Sequence, residues 1–193
     1  MKLSKKGEYA LRALIDLGIA AEVGRSLLQV TEIAEKEKLP IKFLEQVMQN
    51  LKEGGFIQSQ RGKFGGYRLA RLASQITMGQ IVRLIDGPLA PIGCVSQTAY
   101  EPCSCPDEVH CGLRMLMLDV RNAIAGILDR YSLADVVEVT LRKMRRDGVP
   151  LPFSHSTRGN PRTAANSTFV QPAAARLQPV EGLIDNLFSD YAI

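Results

Sequence analysis

All four cysteines of the chain, Cys94, Cys103, Cys105 and Cys111, fall within 18 residues. Thiolates are ligands for soft metals and iron–sulfur clusters, and they also form disulfides and redox couples. The intervening segment is rich in Pro, Ser, Thr and Asp, a composition that favours a loop able to fold around a bound centre rather than a buried apolar core. The spacing lacks the paired C-x-x-C of zinc ribbons, which counts against structural zinc. Cluster, zinc and thiol switch remain the three readings of the motif, against a bland one of four incidental thiols. His110 lies within the motif and offers an extra ligand, although a loop histidine is the preferred reading; His155 lies far downstream. Cys111 is expected at a helix N-terminus, where the dipole favours the thiolate.

A second group suits nucleic acid. Lys42, Glu45, Gln46 and Gln49 recur at helical spacing opposite Leu44, Val47, Met48 and Leu51. Gln pairs with adenine, Glu accepts from cytosine N4, and Lys serves bases or phosphates. Arg61 and Lys63 are flanked by Gly62, Gly65 and Gly66, giving a basic glycine-rich tip suited to a narrow, negative minor groove. The bland alternatives are a solvated helix face and an ordinary surface turn.

These groups need elements to hold them. Residues 4–23 predict a mostly buried helix ended by Gly24, Thr31 opens a short second helix, and about 40–52 form the third. FIQSQ and YRLA predict two strands joined by RGKFGG. Three helices followed by a hairpin is the winged-helix order. Thr77-Met-Gly-Gln80 is a capping-box pattern opening a helix to about Ile85. Another helix is expected over 111–129, with Leu113, Leu116, Met117, Val120, Ile124, Ile127 and Leu128 on one stripe. Its bland reading is packing onto its own domain; a two-fold seam is preferred because palindromic operators require symmetric proteins. Ser132 opens a last helix. The fold class is mainly α with a small β-hairpin wing: a winged helix-turn-helix plus a long dimerisation helix. The expected domains are 1–72 for DNA binding, 73–147 for cysteine-loop sensing and dimerisation, and a disordered tail over 148–193, with GLIDNLF at 182–188 as a short amphipathic helix.

Charge agrees with that division. Residues 1–90 carry 14 Lys/Arg and 9 Asp/Glu, residues 91–146 carry 7 of each, and residues 147–193 carry 3 and 4. The positive excess lies in the half that would dock on phosphates. Arg12 and Asp16 interrupt the N-terminal apolar stretch, so neither a secretory signal nor a membrane span is expected and a cytoplasmic location follows. No nucleophile elbow, P-loop, GxGxxG or HExxH appears, so the chain does not read as an enzyme.

MKLSKKGEYALRAL, LPIKFLEQVMQNLKEGGFIQSQRGKFGGYRLA, and the cysteine loop followed by a long helix and SLADVV together resemble the Rrf-two family of winged-helix transcriptional regulators over about residues 1–140. The resemblance implies a homodimer on double-stranded operator DNA, acting as a repressor that senses iron–sulfur status, nitric oxide or redox state. It places Glu45 where relatives read bases and Arg61 where they enter the minor groove. Cluster-binding members use three cysteines. Cys105-x5-Cys111 matches the spacing of the last two, Cys94 is the implied first ligand, and Cys103 is an additional thiol able to replace it. The implied cofactor is a 2Fe–2S or 4Fe–4S cluster. Arg114 stands where some members supply a histidine, a departure that removes that fourth ligand. Glu8 stands where others supply a carboxylate from the partner subunit. The alternative is a thiol-redox or zinc-stabilised interaction module.

Overall fold

The computed structural model describes residues 3–154. They form α1 (Lys5–Glu22), α2 (Val30–Glu37), α3 (Ile41–Glu53), β1 (Ile57–Gln60), β2 (Gly66–Leu69), α4 (Met78–Asp86), α5 (Gly112–Arg130) and α6 (Leu133–Arg146), with single 3₁₀ turns at Ala73–Gln75 and Gly93–Val95. The helices and the two-stranded antiparallel sheet are the winged-helix architecture that the sequence predicts.

α1 is the hub because its apolar residues occur on nearly every side. Ala10, Ala13, Leu14, Leu17, Ile19 and Ala20 are all buried, as expected of a helix enclosed by others. The Ser4 hydroxyl caps it by accepting the Gly7 N–H at 2.9 Å. The Ser4 backbone N–H donates to Asp86 at the end of α4, also at 2.9 Å. A Cβ at Gly7 would sit 2.6 Å from the Asp86 carboxylate, so this glycine lets α4 dock. α2 begins one residue earlier than Thr31 suggests, because Glu32 reaches back to accept the Gln29 N–H at 2.9 Å.

The apolar core does not stop at the hairpin. Thr77 and Ser132, the caps of α4 and α6, pair as an isolated bridge, with Met78 N–H donating to Tyr131 O at 3.0 Å and Leu133 N–H to Ile76 O at 2.7 Å. That stitch returns the chain, and α6 lays Leu133, Val137 and Leu141 into the same core as α1. A Cβ at Gly18 would lie 2.6 Å from the Val137 side chain, so the two helices meet closely. The first residues of the expected tail belong here too: Leu151 and Phe153 pack against the core, and Lys36 lies 5.9 Å from the Phe153 ring centre. Residues 151 and 153, which the sequence places in the expected tail, are thus part of this core. His155 and the GLIDNLF segment lie outside the described residues.

One charge is buried within the first three helices. Asp16 is fully enclosed. Its Oδ1 accepts from Lys36 at 2.5 Å, while its Oδ2 has no partner among the described residues. Glu37 and Arg12 complete the cluster, Arg12 Nε lying 2.5 Å from Glu37. Burial pushes the Asp16 carboxyl from 3.8 up to about 6, against the pull of Lys36. The folded chain then holds this proton more tightly than the unfolded chain, so the group's contribution to stability falls as pH rises from about 4 through 6. Asp16→Asn cannot ionise. Relative to the native chain its unfolding free energy should rise by roughly 3 kcal/mol across that window, read by urea unfolding at pH 4, 5 and 6.5. A constant difference between the two proteins would contradict this.

Candidate nucleic-acid interface and cysteine loop

The helix-turn-helix is α2, a tight turn, and α3. Lys38 adopts the left-handed conformation (φ 53°) that ends α2, and Pro40 caps α3. Four residues of α3, Leu44, Val47, Met48 and Leu51, are buried. That fixes the opposite face outward: Lys42, Glu45, Gln46 and Gln49 are all exposed. Gln49 Nε2 donates to Glu53 at 2.7 Å, which orients one amide along the helix.

The wing follows directly. β1 and β2 pair from Ile57↔Leu69 to Gln60↔Gly66, leaving Arg61, Gly62, Lys63 and Phe64 exposed at the tip. Its root is fastened by a contact that the sequence reading misses: Leu28, in the α1–α2 connection, bridges Tyr67 with N–H···O distances of 3.0 and 2.7 Å. Gly66 permits this, since a Cβ there would stand 2.5 Å from Leu28 O. Hairpin and helix-turn-helix are thus tied together, and the exposed α3 residues and the wing tip belong to one framework.

The cysteine loop joins α4 to α5. The 3₁₀ turn buries Cys94 and Val95, unlike the polar surroundings that composition suggests; Cys103 and Cys111 are half-buried and Cys105 is exposed. The four thiols lie in one loop, where Cys103 influences both Cys94 and Cys105, and Cys111 influences Cys105. Loss of hydration, then the charge and hydrogen bond of Cys103, push the Cys94 thiol up. Its bond with Cys103, then partial desolvation, pushes Cys105 up to about 11. Cys111 is the N-cap of α5, its sulfur accepting the Arg114 N–H at 3.4 Å.

Glu108, which the sequence reading passes over, organises this loop. It accepts from Tyr100 at 2.8 Å and from Cys103 at 3.8 Å, and pairs with Arg114 at 3.2 Å. Arg114 also donates to Cys94 O at 3.3 Å. His110 turns away to Asp107 at 2.7 Å. Glu8 lies on α1, paired with Lys5 at 2.7 Å and Arg12 at 3.4 Å. Among the described residues no three His, Cys, Asp or Glu side chains converge so as to hold a single metal ion.

α5 buries none of its 19 residues. At 100° per residue, Arg114, Leu118, Arg121, Ala125 and Leu128 share a face centred away from the stripe, and Leu128 packs against the core. Met117 and Ile124 lie between the two faces and are half-buried, while Leu113, Leu116, Val120 and Ile127 are exposed. The apolar stripe stands beside the packed face, not on it.

The outward α3 face, the basic wing and the shared core define a winged-helix DNA-binding regulator. The chain belongs to the Rrf2 family, whose model, described as "Iron-dependent Transcriptional regulator", matches residues 3–139. It is 36% identical over 139 residues to a putative rrf2-like regulator of Rhodobacter capsulatus, covering 70% of this chain and 91% of that protein. It is 32% identical to the regulator CymR of Bacillus subtilis, covering 72% and 92%. The solved structure of CymR, the global cysteine regulator of B. subtilis, superposes with a TM-score of 0.61 at 29% identity, covering 72% of this chain and 98% of that one. T. potens IscR superposes at 0.57 and 28% identity, covering 72% and 88%. The chain is a transcriptional regulator, not an enzyme. No helix among the described residues is long and apolar enough to cross a membrane.

Proposed function

We propose that the chain is a homodimeric, operator-binding repressor whose cysteine loop ligates an iron–sulfur cluster and reports its state to the DNA-reading elements. Residues 1–72 read DNA, with Lys42, Glu45, Gln46 and Gln49 in the major groove and Arg61 and Lys63 at the minor groove. Residues 73–147 sense and dimerise. The observation that carries the reading is the gathering of four free thiols in one loop, with Cys111 capping the N-terminus of an unburied apolar helix. That donor set fits the group: four soft sulfurs within one loop are the ligands that 2Fe–2S and 4Fe–4S clusters take. It suits a polynuclear centre, whose irons bind separate thiolates, better than one tetrahedral zinc. When bound, the cluster supplies a centre sensitive to oxidants and nitric oxide.

Cys94, Cys105 and Cys111 are the principal ligands. Cys103 lies in the same loop, so it completes the set in preference to Glu8, which Lys5 and Arg12 already engage. Ligation releases protons, because the raised Cys94 and Cys105 thiols are protonated at neutral pH. The loop reaches α5 through Arg114, held by Glu108 and the Cys94 carbonyl. α5 grips α4 through the two-pronged Arg83–Asp129 pair at 2.5 and 2.8 Å, and α4 meets α1 at Asp86. A shift of the loop therefore alters how the two winged helices are spaced. The ligand acts only through a difference in operator affinity between the two states.

The test is anaerobic purification with an absorption spectrum and iron and zinc analysis, followed by operator binding of cluster-loaded and cluster-free protein over a range of salt. Affinity should fall by roughly 10³–10⁵ between 50 and 200 mM salt if six to ten phosphates are neutralised, and should differ between the two forms. Equal affinities would remove the sensing half of the proposal. A zinc-loaded, colourless protein would favour the interaction module.

A further inference from the structure

The arginines of α5 are not equally provided for. Arg114 pairs with Glu108 and donates to Cys94 O. Arg121 follows seven residues on, two turns along the same face. Its Nε is buried without a hydrogen-bond partner, and no carboxylate among the described residues pairs with its charge. Buried polar atoms are almost always paired, and one that is not calls for a water or an ion to complete it. A guanidinium sharpens that demand, because it stays protonated at every working pH and cannot escape by neutralising.

Arg121 lines a recess of about 270 Å³, open to solvent, between α5, the end of α4 and the cysteine loop. Ordinary ligand clefts run to roughly 300–1,000 Å³, so this one suits a small molecule. Its walls divide by chemistry: Leu89 and Ala125 give an apolar side, Ser96 and Thr98 bring hydroxyls. Ser96 Oγ accepts the Ala99 N–H at 3.0 Å, which leaves its own O–H to donate. Arg83, the other cation of the recess, is taken up two-pronged by Asp129. What remains is one uncompensated positive charge beside an apolar wall and hydroxyl donors.

We propose that Arg121 binds a small organic carboxylate in this recess, and that the bound acid clamps the cysteine loop to α5. The two oxygens of a carboxylate match the forked edge of a guanidinium. A single positive charge balances a monoanion rather than a phosphate, and the apolar wall takes a short carbon chain. Segment 96–98 adjoins the turn that buries Cys94. An acid shared between Arg121 and that segment therefore holds the turn to the helix at a second point besides Arg114. Binding needs only the recess, whereas an effect on DNA rests on the sensory reading of the loop.

The experiment titrates the full, reduced chain with propionate at constant ionic strength, exchanging chloride for the acid anion, and follows binding by calorimetry and by saturation-transfer NMR of the acid. Propionate should bind saturably; propionamide, its uncharged isostere, should not bind, and inorganic phosphate should bind more weakly. Arg121→Gln should weaken propionate by roughly 10- to 100-fold, the worth of a hydrogen bond to a charged group. Thr98→Val, at an exposed position, should weaken it as well, and with the propionamide comparison it decides the matter even if Arg121→Gln does not fold. No saturable binding, equal binding of propionamide, or native affinity in both variants would overturn the site. Tighter binding of phosphate would overturn its carboxylate class. In operator titrations propionate should shift the native chain's affinity by roughly fivefold or more, the low end of ordinary coupling between sites, and leave Arg121→Gln unmoved. Propionate binding with unchanged operator affinity would overturn the clamp and keep the site. Absence of operator binding with and without propionate would instead sink the DNA-reading proposal on which the clamp depends.

Discussion

Leu116→Asp is expected to leave a folded monomer that no longer holds its operator. Leu116 is 56% exposed on α5, in line with Leu113 and Ile127 at 56% and 54%. No residue of α5 supplies core packing so complete that its loss would unfold the chain. Across a two-fold seam each substitution is met twice, and each unpaired carboxylate placed in an apolar contact either costs several kcal/mol or must take up a proton. The proposed dimer should dissociate. Two half-sites bound through one dimer gain effective concentration, and losing that linkage typically lowers affinity by roughly 10²–10⁴-fold. Met115→Gln is the control: Met115 is 64% exposed but lies on the opposite side of the helix from the stripe. Sedimentation and operator titration read the outcome. If Leu116→Asp stays dimeric, α5 is not the seam, and the way the cysteine loop reaches the DNA-reading elements must be sought elsewhere.

Gly65→Ala should weaken operator binding by roughly ten- to a hundredfold while the helical core stays intact. A Cβ at Gly65 would lie 2.2 Å from Gln60 O and 2.9 Å from the Arg61 carbonyl carbon. Both are backbone atoms of the same turn and cannot step aside, so the Gly65 N–H bond to Gly62 O at 2.9 Å is lost and the tip is re-aimed. Arg61→Ala removes a charge without moving the backbone; it should lower affinity and reduce the salt slope by about one. Misplacement and charge loss are thereby separated. Native affinity in both variants, with unchanged thermal melting, would take the wing out of the interface.

Much of the fold and of the α3–wing surface is legible in the amino-acid sequence, for identifiable reasons. α3 announces itself through Leu44, Val47, Met48 and Leu51, and the same period places Glu45 and Gln49 opposite them. RGKFGG between two short alternating segments marks the wing, and Thr77 with Gln80 marks the start of α4. The features that escaped depend on contacts between distant segments. Leu28 carries no strand signal by itself; its bridge to Tyr67 exists because Gly66 admits a second backbone. Glu108 looks like one acid among several until Tyr100, Cys103 and Arg114 are seen to converge on it. Burial of Cys94 arises from a 3₁₀ turn in a stretch whose composition says surface. The helix over 111–129 was legible from its apolar period, whereas the packing of Leu128 at the end of that stripe against the core depends on α4 and α6 beside it.

The bridge between Thr77 and Ser132 has a consequence for the construction of the molecule. With α4 docked on α1 at Asp86 and Ser132 paired with Thr77, the chain from 87 to 131 is one closed excursion with both feet pinned. Lengthening or shortening the Cys94–Cys111 stretch changes the contents of that excursion without altering where either foot stands. On the proposed reading the cysteine loop is a replaceable cartridge, whose chemistry can be exchanged without redrawing the helices and wing proposed to grip the double helix.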